Sequence, residues 1–128
     1  MQFNSIDKPI LIRRSEPTKL SDNFSSSEFL SKNDNNEYGI IHPKLIELLQ
    51  QMRDGLGFPL NINSGYRSPE HNARIGGAPA STHLFGMAAD VRGESLEDIE
   101  QAAIILGAGG VKRYDTFVHV DVWLKRSW

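Results

Sequence analysis

The chain has 128 residues, a formal net charge of −2, 23% charged and 39% hydrophobic residues, and no cysteine. That balance suits one compact globular domain, expected to act as a monomer, and offers no one-signed charge run to nucleic acid or to a membrane surface. With no thiols there is no disulfide and no cysteine-held zinc, so any metal must be held by histidine and carboxylate.

The opening Met-Gln-Phe-Asn-Ser-Ile-Asp-Lys-Pro lacks a basic stretch followed by an apolar one, and no apolar run approaches the ~20 residues of a membrane span. The expectation is a chain without a signal peptide, cytoplasmic as synthesised. Residues 1–20, with the short apolar run Pro9–Ile12, read as an N-terminal arm or an edge strand, and residues 21–128 as the core. Thr18–Ser27 is polar and serine-rich, a loop by composition, with Ser25–Ser27 and Glu28 marking the start of a short helical turn. Lys32–Glu37 reads as a solvated, mobile loop.

Pro43–Leu56 is the clearest helix, because Leu45, Leu48, Leu49 and Met52 recur on one face, proline opens it and Gly55 or Gly57 ends it. Leu60–Asn63 alternates as a strand does. Ser68 caps a short helix with Pro69 at its first position, and glycines and proline make Ile75–Ala80 a loop. Met87–Arg92 is a second strand. Ser95–Leu106 is a second amphipathic helix, capped by Ser95 with Asp98 three residues on. Val111–Tyr114 leads through a turn into a last strand over 117–123. Short connections between interspersed strands and helices predict an α+β fold with a small antiparallel sheet and flanking helices.

Chemistry concentrates in Ser81–Asp90 and Phe117–Asp121. Alternation along the last strand puts Val118, Val120 and Val122 on the core face and Phe117, His119, Asp121 and Trp123 on the other. Gly86 lets the chain turn between His83 and Asp90. If the two strands are neighbours, His83, Asp90 and His119 converge on one ion, and two imidazoles, a carboxylate and an open place are a catalytic zinc set. The competing reading is structural: a lone histidine beside a strand, Asp90 as a turn cap, Asp121 as a solvated edge residue. No His-Glu-x-x-His helix is present.

Ser81-x-His83-x-x-Gly86-x-Ala88-x-Asp90 followed by Phe117-x-His119-x-Asp121 resembles the M15 family of zinc peptidases. That family includes D-alanyl-D-alanine carboxypeptidases and related cell-wall peptidases, and shares its fold with the hedgehog signalling domain. The likeness extends through Asn63–Ser68, His71-Asn72, Gly76–Ala78 and Phe24–Phe29 to the closing Trp128, covering about residues 20–128. It is greatest to the short single-domain branch of bacteria and phages.

The resemblance implies a hedgehog/DD-peptidase-like fold and one Zn²⁺ per chain on His83, Asp90 and His119. It implies hydrolysis of a stem peptide or cross-link of peptidoglycan by a carboxypeptidase or endopeptidase, such as a phage endolysin reaching the wall after release. Arg67 matches a family arginine that meets a substrate carboxylate or the developing oxyanion; its bland alternative is a surface pair with Glu70. Several branches carry a glutamate three residues before the second ligand histidine, where this chain has Thr116, and others a histidine two residues before it, where this chain has Phe117. Asp121 is then the preferred general base, with support of a ligand histidine as its alternative, and Asp115 is a weaker candidate. Ser81 would orient the His83 loop; His71 could reach the cleft but reads rather as a helix-surface residue, and Tyr66 and Trp123 could line the cleft but read rather as core aromatics. The rival function is a zinc-holding but non-catalytic interaction or virion module of the same fold.

Overall fold

The computed structural model describes residues 8–31, 35–77 and 81–123. The N-terminal residues before Lys8, part of the 32–37 loop, Ala78 and Trp128 lie outside that description. The fold is α+β with small antiparallel sheets, as the sequence predicts.

The edge strand is β1 (Ile10–Arg13), which pairs antiparallel with β4 (Tyr38–Ile41). Between them, β2 (Lys19–Ser21) and β3 (Phe24–Ser25) form a two-stranded hairpin where composition predicted loop. Its ends are tied down from outside: Asn23 N–H donates to the Gln50 side chain (2.9 Å), and Thr18 N–H to Ser26 Oγ (2.9 Å). The 3₁₀ turn Ser26–Phe29 follows, opened by Ser25 and Glu28 as a reciprocal capping box.

The first helix, α1 (Pro43–Leu56), has the predicted bounds and ends on Gly57 in the left-handed region (φ 75°). Its stripe Leu45, Leu48, Leu49 and Met52 is buried, at 1% exposure or less. The main sheet has strand order β5 (Asn61–Ser64), β6 (Ala88–Arg92), β8 (Val118–Asp121), β7 (Gly110–Arg113), all antiparallel. Strand β7 stands where the sequence suggested only a lead-in turn. A Gly-Val-Lys-Arg segment has no alternating pattern of its own and is strand because β8 pairs with it.

Ala89↔Val120 and Val91↔Val118 are cross-strand partners, so they share the face that packs on the core with Ile99 and Ala103 of α3 (Leu96–Ile105). Ser95 caps α3, its Oγ accepting from Asp98 N–H at 3.2 Å. Helix α3 packs against α1, β7 and β8. The opposite face carries the partners Asp90↔His119 and Ala88↔Asp121. One face of two strands therefore builds the core, and the other face builds the site. Short helix α2 (Pro69–Arg74), capped by Ser68, follows β5.

Candidate metal centre and its cleft

Each of the three residues singled out for metal binding comes from a different local setting. His83 sits in a 3₁₀ turn, Thr82–Phe85, whose first residue is preceded by Ser81 as cap: Ser81 Oγ accepts from His83 N–H at 3.2 Å. Gly86 ends the turn at φ 68°, and a side chain there would collide with the Ile40 carbonyl. Only glycine satisfies both demands without strain. Asp90 lies mid-β6 and His119 directly opposite it on β8.

The donor atoms converge. His83 Nε2 and His119 Nδ1 stand 3.2 and 3.0 Å from the same Asp90 Oδ1, and one donor atom from each residue fits within a 4.8 Å span. Each imidazole is held from behind. His83 Nδ1 donates to the Gly65 carbonyl at 2.7 Å, and His119 Nε2 to Asp121 Oδ2 at 2.8 Å. With those nitrogens carrying protons, the two facing nitrogens of neutral imidazoles present lone pairs, and both point at a carboxylate oxygen. Three acceptors at such range repel unless a proton or a cation stands among them. Tetrahedral zinc bonds of about 2.0–2.2 Å put neighbouring ligand atoms about 3.3 Å apart, close to the observed spacings. The donor set fits zinc.

The electrostatics follow from the same contacts. Burial pushes the Asp90 carboxyl up, but hydrogen bonds from His119 and His83, with their charges, outweigh it and leave its pKa well below the usual carboxylate range. Burial pulls His119 down, and hydrogen bonds to Asp121 and Asp90 override that, so its pKa is raised. Without a metal, the proton is the cation that relieves the crowded acceptors.

The other Asp90 oxygen, Oδ2, faces Arg67 Nη2 at 3.6 Å. Burial lowers the Arg67 pKa, and the Asp90 charge opposes that. Arg67 does not pair with Glu70, which is exposed. Its fork is fixed instead by Asn72 Oδ1, accepting from Nη1 at 3.1 Å, and more loosely by Ser64 Oγ, 3.4 Å from Nε. The sequence did not single out Asn72 for this, and the only local hint was Gly77: a side chain there would drive into the Asn72 amide. Nor did it single out the Gly65 carbonyl, because a backbone acceptor carries no residue signature.

Asp121 is no solvated edge residue. It is fully buried, with Oδ1 accepting from Trp123 N–H at 3.1 Å and Oδ2 from His119. It lies on the Nε2 side of the imidazole, while the donor atoms converge on the Nδ1 side. Asp115 and Thr116 are exposed in the β7–β8 connection. Two readings need correction. His71 is not on the helix surface but buried at 8% exposure and lining the cleft, because α2 lies with that side inward. Trp123 is 38% exposed, beyond the end of β8, and Tyr66 is half-buried in the cleft wall, so neither is a core aromatic.

The cleft beside the triad encloses about 560 Å³ and is walled by Arg67, His71, Tyr66, Ile62, Asp90 and Arg92 among others. A concave, largely polar groove beside convergent donors is an arrangement that can hold an extended peptide across a Lewis-acid centre. Among the described residues, no helix is long and apolar enough to cross a membrane.

Comparison with known proteins agrees with this geometry. The chain is 36% identical over 104 residues to the peptidoglycan L,D-endopeptidase MepK of Escherichia coli (strain K12), covering 73% of this chain and 57% of that protein. The same figures hold for the Shigella flexneri protein of that name. Over 44 residues it is 46% identical to the zinc D-Ala-D-Ala carboxypeptidase of Streptomyces albus G, covering 34% of this chain and 17% of that one. The chain thus spans a little over half the length of the MepK relatives it matches. The pattern of the family described as Peptidase M15 runs over residues 22–121, across every element that builds the site, and the chain belongs to that family.

Proposed function

We propose that this chain is a zinc-dependent peptidase that hydrolyses peptide bonds of bacterial peptidoglycan, one domain acting as a monomer with one zinc held by His83, Asp90 and His119. The observation that carries the reading is the convergence of three lone-pair donors, one of which, Asp90, lines a peptide-sized cleft, with a fixed guanidinium beside it. The names of the relatives supply the substrate class: one acts on peptidoglycan, the other on D-Ala-D-Ala.

Zinc in such a set supplies Lewis acidity toward a carbonyl and lowers the pKa of a bound water to about 7. The chain's own residues do the rest. Gly65 and Asp121 hold the two imidazoles in the tautomers that leave Nε2 of His83 and Nδ1 of His119 open. Arg67, braced by Asn72, presents a planar donor fork to a substrate carboxylate or to negative charge developing on the scissile carbonyl oxygen. Of the two roles open to Asp121, we assign it the positioning one, acting through His119. What supports this is that both its oxygens are engaged and the ring stands between them and the donor convergence.

The test is direct. Purified protein loaded with zinc, and the same protein with excess chelator, are added to bacterial sacculi, and newly freed amines are followed. Release that chelator abolishes and zinc restores is the expected result. No release by zinc-loaded, folded protein returns the chain to the non-catalytic module that Thr116, in place of the glutamate of other branches, also suits.

A further inference from the structure

We propose that Arg92 is a second anion-recognising residue of this cleft and selects peptides bearing a free carboxylate about two residues from the scissile bond. The inference rests on the peptidase reading and names a substrate feature for the same site.

Arg92 closes β6 two residues after Asp90, so the two side chains project from the same face of the strand. Two strand residues advance about 7 Å, and an extended peptide bound along the sheet advances at the same rate. A group beside Asp90 and a group beside Arg92 therefore sit about two substrate residues apart. Both arginines line the same cleft, but they stand differently in it. Arg67 is braced, its charge opposed by Asp90 and its Nη1 and Nε held by Asn72 and Ser64. Arg92 is exposed, and among the described residues only its Nε is engaged, donating to Asn63 Oδ1 at 2.9 Å.

Among the described residues, no carboxylate lies within ion-pair distance of Arg92. Of the cleft's two acids, Asp90 belongs to the triad, and Glu28 accepts from Ser25 N–H at 2.7 Å. Asn63, on the neighbouring strand, tethers the guanidinium at Nε, and its terminal nitrogens meet no partner among the described residues. An oriented but unpaired guanidinium at the rim of a polar cleft is suited to a carboxylate, which it can grip with two parallel N–H bonds. A carboxamide would offer one acceptor and no charge.

The experiment uses two synthetic stem peptides, identical except that the non-terminal carboxyls are free in one and carboxamides in the other. Zinc-loaded wild type, Arg92→Gln and Arg92→Glu are compared. Binding is measured by calorimetry and, separately, hydrolysis by amine release. A hydrated rim contact predicts that wild type prefers the acid peptide by about tenfold, carried by Kd and KM and shrinking as salt rises. Arg92→Gln should bring the acid peptide to the level of the amide. Arg92→Glu should reverse the order, which loss of a structural contact would not do. If both peptides are cut and bound equally by wild type, or if Arg92→Gln keeps the preference, the proposal is overturned while the peptidase reading stands. If neither is cut yet binding shows the Arg92-dependent preference, the peptidase reading fails and this one survives.

Discussion

Asp121→Asn separates a residue that supports the site from one that takes part in the reaction. The carboxylate is buried at 0% exposure and serves two donors, His119 Nε2 at 2.8 Å and Trp123 N–H at 3.1 Å. Asparagine fills the same volume but has one oxygen. Whichever donor keeps it, the other faces an amide N–H₂, and a buried donor without a partner costs about 1–3 kcal/mol. If the loss falls on His119, its ring is freed to turn and the metal loses an oriented ligand. Loss of such a partner typically weakens a metal about 10–100-fold, the same range of free energy reached from the opposite direction. A competition titration against a chelator of known affinity reads it, with a thermal melt of metal-free protein to show the fold persists. The expected variant binds zinc about 10–100-fold more weakly and regains most of its rate in excess zinc. A variant that holds zinc as tightly as wild type, yet stays slower by the 10²–10⁴-fold typical of a lost general base, would refute the positioning role. Asp115→Asn should leave both readouts near wild type.

Three other outcomes follow from contacts already described. Arg67→Lys keeps a charge but not the planar fork that Asn72 and Ser64 hold, so kcat/KM should fall by ~10²-fold with zinc still stoichiometric; a near-native rate would remove Arg67 from the reaction. The raised pKa of His119 means that a proton competes with the metal already above the ordinary histidine range. Zinc affinity should therefore fall about tenfold per pH unit as pH drops below that point, and affinities flat from pH 8 to 5 would contradict the ligand assignment. In metal-free protein the sign is the other way: protonated His119 stabilises the fold at low pH, and the gain is lost as pH rises through the raised pKa. Gly86→Ala forces a side chain into the left-handed region and onto the Ile40 carbonyl, which should cost upwards of ~1 kcal/mol in denaturant unfolding and displace the His83 turn. Unchanged stability there would mean the turn relaxes freely.

How far the sequence shows the structure depends on whether the information is local. Helix α1 was legible to the residue because its leucines repeat at helical spacing, proline starts it and Gly57 stops it. The valines of β8 and the capping serines at 25, 68 and 95 were legible for the same reason. The hairpin at 19–25 and strands β4 and β7 were not. They run two to four residues, and their polarity follows no period, so their strand character is imposed by the chains beside them. At the site, His83, Asp90 and His119 stood out because few residue types can hold a metal. The groups behind them did not: the Gly65 carbonyl, the Asn72 brace and the inward turn of His71 exist only once β5, α2 and the His83 turn have met.

Asp90 and His119 face each other directly across β6 and β8, in the ladder that also pairs Ala89 with Val120 and Val91 with Val118. The two alternating sets are locked together. A slip of one residue between these strands would send His119 into the apolar layer, bring a valine out to Asp90, and spoil core and site at once. Tight zinc binding is then a gauge of strand register, and a chain mispaired here would show itself by failing to hold the metal. The exposed turn between β7 and β8, residues 114–116, can change in composition without harm to the centre so long as that pairing is kept. Directed evolution of this scaffold could use retained zinc, measured without any substrate, to discard misregistered variants before a catalytic screen begins.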